Sequence, residues 1–263
     1  MKSRTLPIYA FAYLAFLYVP VLVLPVFSFN NSEFIAFPLS GFTTRWYAGL
    51  AADTAMLHAL GNSLEVALAT ALLSTLLGLS AAKAVTQYRL KGAGAALGFI
   101  SLPLFIPDIV LGISLLLFLG AVGLSLSLAA VVLGHLLICV LFALTVLIAR
   151  FEGFDKNLEE ASADLGEDGW MTFWRVTFPL MLPGIIASLL LTFITSFDEF
   201  LVAYFLSGTE ATLPIYIWGQ LRFPERLPMV LALGALILTV SVVLVVLAEY
   251  VRNLGVKKPM VGA

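Results

Sequence analysis

Charge is scarce along this chain: only 11% of its 263 residues are Asp, Glu, Lys or Arg, against about 25% in an ordinary soluble domain. A surface built from so few charges cannot face water throughout, which excludes a soluble globular fold. Cysteine is scarcer still. The single Cys139 excludes an intrachain disulfide, and with only two histidines, His58 and His135, no spacing supports a metal site. No run of basic residues suggests nucleic acid, and the net charge of -2 favours no class of partner. No G-x-x-x-x-G-K-[ST] loop is present to cradle phosphates, so the chain carries no ATP site of that kind. No nucleophile, base and metal fall into a catalytic arrangement, so an enzyme is not expected. No internal repeat supports an inverted-repeat carrier.

What remains is apolar. Hydrophobic residues make up 61% of the chain and the mean hydropathy is +1.06. Six stretches are long enough to cross a hydrocarbon core of about 30 Å, which takes roughly 20 helical residues. They fall near 8–29, 62–84, 94–120, 126–149, 182–206 and 228–251. The expectation is an all-α membrane protein forming one domain over 1–263. The first stretch carries Pro20 and Pro25 and no small-residue cleavage site, and is read as a retained span.

Basic residues set the orientation. Lys2, Arg4, Lys83, Arg89, Lys91, Arg150, Lys156, Arg175, Arg252, Lys257 and Lys258 fall on one side, and only Arg45, Arg222 and Arg226 on the other. Both termini are therefore expected in the cytoplasm. The outer segment 30–58 holds Trp46 and Tyr47, candidates for an interfacial belt, and 207–227 has room for a short helix.

The longest cytoplasmic connection, 150–181, has structure of its own. Leu158, Ala161 and Leu165 share one face of a short helix, Gly166 suits its C-terminal stop, and Asp168 is placed to cap a second helix through Trp170, Phe173 and Trp174. The result is an elbow with a small apolar ridge among carboxylates, shaped to dock into another protein, although a solvated loop accounts for the same periodicity. Carboxylates also occur within the spans: Asp108 in the middle of the third, and Asp198 with Glu199 in the fifth. A carboxylate at the bilayer centre costs about 2.5–3.5 kcal/mol on insertion scales, so each is expected to face a cavity or a partner helix. Pro103 and Pro107 break the third span just ahead of Asp108. Phe197, Tyr204 and Trp46 are candidate aromatic walls for a cation. Glu65 lies near the outer end of span two, Glu249 is spaced to pair with Arg252, and His135 reads as a hydrogen-bonded packing residue.

Glu160-Ala161, Gly166 six residues after the glutamate, and Val176-Thr177-Phe178-Pro179 ten to thirteen after the glycine resemble the EAA motif of ABC importer permeases. Ser162 replaces the second alanine, and Val176 and Phe178 replace Ile and Leu. The resemblance implies that this segment is the coupling helix, with Leu158, Glu159, Glu160, Ala161, Leu165 and Gly166 at the contact with an ATP-binding subunit. Pro107-Asp108-Ile109-Val110, Ile113-Ser114-Leu115-Leu116 and Ser196-Phe197-Asp198-Glu199-Phe200 resemble the spermidine/putrescine permeases, the C-type subunit being the nearer likeness. That implies a substrate pathway through Trp46, Asp108 and the Asp198/Glu199 pair, with Glu199 departing from an Asp-Asp pattern, and the candidate walls Phe197 and Tyr204 are counted with them. It also implies a bacterial inner-membrane importer of a small cationic solute. The expected partners are a second, homologous permease, two ATP-binding subunits that bind ATP and magnesium, and an extracytoplasmic solute-binding protein. The chain itself is expected to bind no cofactor or metal. A permease for another small solute and an ion-coupled secondary transporter are the alternatives.

Overall fold

The computed structural model describes residues 5–88 and 92–252; Lys2, Arg4, Arg89, Lys91, Lys257 and Lys258 of the orientation argument lie outside the described residues, as does the side chain of Arg252, the expected partner of Glu249. Twelve α-helices run through them. They are α1 (Thr5–Ser28), α2 (Arg45–Ala52), α3 (Thr54–Gln87), α4 (Ala93–Ser101), α5 (Asp108–Ala121), α6 (Leu128–Glu152), α7 (Asn157–Asp164), α8 (Gly169–Thr172), α9 (Phe178–Asp198), α10 (Leu201–Leu206), α11 (Leu213–Gln220) and α12 (Leu227–Arg252). No strand occurs among the described residues. Five helical segments are long and apolar enough to cross a membrane, and the bent pair Ala93–Phe105 with Asp108–Ala121 makes a sixth.

Two expected spans have a different form. The third is not one rod: its halves meet at 102°. Pro103 and Pro107 lack amide protons, so the helix tightens into a 3-10 turn over Leu102–Phe105 and restarts at Asp108. Ile106 N donates to Pro103 O at 3.2 Å, and Val110 N and Leu111 N donate to Pro107 O at 2.8 and 3.0 Å. Asp108 is thus the first residue of α5, at the break between the two halves and not inside a continuous helix. The fifth span begins earlier than 182 and ends earlier than 206. It runs from Gly169 to Asp198 through a π-helical turn at Phe173–Thr177, and Glu199 then turns extended, with φ -71° and ψ 124°. α10 is a separate helix.

The chain divides into two compact units. One comprises 1–59 and 213–242, the other 60–212 and 243–263. In the first, α1 is almost wholly exposed, as a lipid-facing helix is. Ser28 Oγ donates to Pro25 O at 2.7 Å and lies 2.6 Å from Tyr47 Oη, so the end of α1 is tied to α2.

The second unit is held by close approach. Apolar side chains gain little by leaving lipid for protein, so helices there associate through small residues that let backbones near each other. A Cβ on Gly78 would stand 2.7 Å from that of Ala143, joining α3 to α6. One on Gly134 would meet Val202 Cγ1 at 2.6 Å and Leu206 Cδ1 at 2.7 Å, and one on Gly112 would meet Phe205 Cδ2 at 2.7 Å. Those two glycines let α10 wedge between α6 and α5. Leu144, Leu147 and Phe151 of α6 bury against Met181 and Ile185 of α9, and Thr75 Oγ1 lies 3.0 Å from Ser188 Oγ across α3 and α9.

Gly134→Ala should therefore lower the melting temperature of the detergent-purified protein, because overpacking a close contact costs about 1–3 kcal/mol. Gly98→Ala, where an added Cβ meets nothing within 4 Å, should leave it level or raise it slightly. Equal melting of the two variants would contradict the wedge.

Candidate functional site

The elbow between α6 and α9 has an inner and an outer face. Glu159 points inward: its Oε1 accepts from Lys83 Nζ of α3 at 3.3 Å and from the Thr177 hydroxyl. Lys156 Nζ donates to Thr86 O at 3.0 Å, and Lys83 Nζ sits 5.2 Å from the Phe173 ring centroid. Ser162, buried, lies 3.0 Å by its Oγ from Thr172 Oγ1. The back of α7 is thus fastened to α3 and to the α8–α9 run. The front is bare, with Leu158, Glu160, Ala161 and Gly166 exposed and Leu165 87% exposed. Leu165 lies one residue past the end of α7, so it extends the apolar face from the turn and not from the helix, as its spacing suggested. Gly166 has φ +89°, the left-handed stop that glycine takes without Cβ strain. Asp168 Oδ1 accepts from Met171 N at 2.7 Å and caps α8, and Arg175 pairs with Glu167.

The intramembrane carboxylates differ from one another. Asp108 and Asp198 are exposed at helix ends, and neither side chain has a hydrogen-bond partner among the described residues. Asp108 opens α5 and Asp198 closes α9, and α5 packs on α10, the helix that follows Asp198. Glu199 instead turns inward. Its Oε1 accepts from Val202 N at 3.0 Å and its Oε2 from Ala203 N at 3.1 Å. His135 Nε2 lies 3.1 Å from the same Oε2, and His135 Nδ1 lies 2.8 Å from Ser196 Oγ. The aromatic candidates stack with neighbours: Phe197 on Phe193 at 5.8 Å, and Tyr204 against Phe200 at 5.5 Å and Phe205 at 5.6 Å between centroids. The inward bonds of Glu159 and Glu199 were not legible from sequence, since their partners lie 76 and 64 residues away.

Trp46 belongs to the other unit. Its Nε1 donates to Asn30 O at 2.8 Å, and the Arg45 guanidinium covers one ring face at 4.1 Å from the centroid. In the same unit Asp53 Oδ1 accepts from Met56 N at 3.0 Å, starting α3. Its Oδ2 accepts from Tyr216 Oη at 2.8 Å and from Arg226 Nη1 at 3.5 Å. Burial pushes the Asp53 carboxyl up, but donation by Met56 and Tyr216 and the Arg226 charge outweigh it and hold the group below its ordinary 3.8. Burial and the bond to Asp53 push Tyr216 up to about 12.

Broken spans inside a polytopic α-helical bundle, with carboxylates at the breaks, define a membrane transport protein. Residues 74–253 match the family described as binding-protein-dependent transport system inner membrane component. The chain belongs to that family, and it is a multi-pass inner-membrane permease subunit. It is 32% identical over 240 residues to the spermidine/putrescine transport system permease protein PotC of Escherichia coli (strain K12), covering 91% of this chain and 90% of that one. It is 35% identical over 231 residues to the putrescine transport system permease protein PotI of the same strain, covering 85% and 82%. Its fold matches a chain in the crystal structure of a bacterial ABC transporter involved in the import of the acidic polysaccharide alginate. There the TM-score is 0.71 at 18% identity, over 96% of this chain and 95% of that one.

The Asp53 latch predicts a pH dependence. A carboxyl held below its ordinary value contributes stability that is fully present above that value and is lost as pH falls through the lowered one. Asp53→Asn should lower the melting temperature at neutral pH, and its deficit against the parent should shrink below about pH 4. A deficit constant down to pH 3 would show that the charge of Asp53 is not what is felt.

Proposed function

We propose that this permease imports a polyamine, spermidine or putrescine, driven by ATP hydrolysis on a separate subunit that docks on α7 from the cytoplasm. The observation that carries the docking half is the two-faced elbow. Leu158, Glu160, Ala161, Leu165 and Gly166 stand exposed while the back of α7 is bound to α3 and to the α8–α9 run. A helix fastened on one side only transmits a push from the other. Glu159 belongs to the fastening and Glu160 to the contact.

The substrate half rests on similarity to PotC and PotI over most of the chain and on chemistry. A polyamine carries separated ammonium groups on an apolar chain. Asp108 and Asp198 supply exposed carboxylates, and Phe197 and Tyr204 supply aromatic faces suited to cations. The assembly on this reading has a second, homologous permease, two ATP-binding subunits carrying ATP and magnesium, and an extracytoplasmic solute-binding protein. Both termini lie in the cytoplasm, following the bias of Lys and Arg along the sequence.

The test is co-expression with the neighbouring genes, purification and ATPase measurement in liposomes, with and without spermidine or putrescine and the solute-binding protein. Hydrolysis that rises with the loaded receptor establishes both halves. Co-purification of an ATPase indifferent to polyamines keeps the assembly and removes the solute. Transport driven by an ion gradient with no ATPase associated would favour a secondary transporter. In the assembled complex Glu160→Ala should cut receptor-stimulated uptake by about tenfold or more, the equivalent of 1.4 kcal/mol, while membrane insertion stays normal. Asp108→Asn should raise KM for the cationic solute by a similar factor, because a solute ammonium loses its counter-charge; unchanged kinetics would make Asp108 a structural residue.

A further inference from the structure

We propose that His135 is the positioning residue for the break in the fifth span, and that Glu199 serves this frame and not the solute. The inference rests on the reading of the chain as a permease for a cationic solute and divides the labour between two adjacent carboxylates.

His135 lies on α6, 1% exposed. Its two ring nitrogens reach both sides of the break: Nδ1 is 2.8 Å from Ser196 Oγ in the last turn of α9, and Nε2 is 3.1 Å from Glu199 Oε2 just beyond it. Nδ1 and the Ser196 hydroxyl share one hydrogen between them, and Nε2 stands at ion-pair distance from the carboxylate without the alignment of a hydrogen bond. Glu199 in turn accepts from Val202 N and Ala203 N, so it satisfies two amides at the start of α10 that have no carbonyl of their own helix to bond. Next to His135, Gly134 admits Val202 and Leu206 of α10 to within the reach of a single Cβ. One stretch of α6 therefore seats α10 by shape and stands against the carboxylate that caps its beginning.

Glu199 is consequently a poor counter-ion for a passing cation. Two backbone amides already occupy its two oxygens, and a cation that drew it away would strand buried donors. Asp198, one residue earlier, is exposed and has no hydrogen-bond partner among the described residues. The frame turns Asp198 outward by holding Glu199 inward. The sequence of contacts Ser196, His135, Glu199 resembles a hydrolytic triad in composition only. Ser196 is 3% exposed, which leaves no approach for a carbonyl.

The roles separate on substitution by amides. In Glu199→Gln the amide oxygen can keep the place of Oε2, accepting from Ala203 N beside His135, while the amide nitrogen takes the place of Oε1 and Val202 N loses its acceptor. The contact with His135 and one of the two backbone bonds survive without the charge. In Asp198→Asn the charge that meets the solute is gone.

The experiment uses the full transporter in liposomes with its solute-binding protein and spermidine as the probe. Asp198→Asn should raise KM by about tenfold, and Glu199→Gln should move it by less than about threefold. Equal rises in KM for both variants would overturn the proposal, because the charge of Glu199 would then be felt by the solute. A second readout needs no transport. Asp198→Cys in a Cys139→Ser background should label rapidly with a membrane-impermeant maleimide. Adding His135→Ala should slow labelling severalfold, and His135→Gln, which keeps a donor for Glu199, should restore most of it. Unchanged labelling in the His135→Ala protein overturns the positioning role. If the parent transporter takes up no polyamine, the solute assignment fails by itself and labelling alone decides the role of His135.

Discussion

A helix that breaks inside hydrocarbon leaves amide and carbonyl groups with no water to bind, and each must find a partner within the protein. That constraint organises the second unit. It is met at the two breaks by different means. At the first, Pro103 and Pro107 remove two donors from the problem, and the carbonyls of both prolines are taken up by Ile106, Val110 and Leu111. At the second there is no proline. The first amides of α10 are met by a side chain, Glu199, which His135 holds from a neighbouring helix. The glycine contacts of α10 with α5 and α6 follow from the same need, since a six-residue helix has little of its own to hold it in place.

The difference between the breaks explains what could be read in advance. Hydropathy places the six apolar stretches, because lipid selects for length and composition and both are local properties. The bend before Asp108 is legible because proline acts on its own backbone. The caps of the elbow are legible for the same reason: Gly166 takes a conformation that suits glycine, and Asp168 reaches an amide three residues on. The break at Glu199 carries no such mark, since Ser196-Phe197-Asp198-Glu199-Phe200 suits a continuing helix as well as an ending one. Adjacent carboxylates invite a common role, and only packing against His135 separates them. Glu159 and Glu160 repeat the lesson at the elbow, where neighbours in sequence face opposite ways around the axis of α7 because Lys83 and Thr177 stand on one side of it.

These features connect along one element. From Gly169 to Asp198 the backbone is helical for 30 residues, a rod of about 45 Å at 1.5 Å per residue. Its first turns abut the elbow through Thr172 and Thr177, and its last residue is the exposed Asp198. A helix resists bending far more than a loop does, so on the proposed reading this element is the path from α7 to Asp198. The π-helical turn at Phe173–Thr177 is the one widened point in its hydrogen-bond ladder, and Thr177 within it is bonded to Glu159. The fastening therefore grips the rod at its π turn, ahead of Pro183, which removes a further bond from the ladder.

On the proposed reading this arrangement solves a problem that distance poses. The contact with the ATP-binding subunit and the carboxylate that meets the solute lie at opposite ends of a span, and lipid offers nothing to push against between them. A chain of separate loops would dissipate the motion. A rod gripped at one end by α7 and ended at the other by a capped break delivers it, provided that the far end keeps its geometry while the rod moves. That proviso is why the break is held by α6. If α10 continued the rod, Asp198 would sit mid-helix and turn with it. Because His135 stands against Ser196 of the rod's last turn and against Glu199 beyond it, the joint keeps its geometry, and Asp198 is presented at that joint.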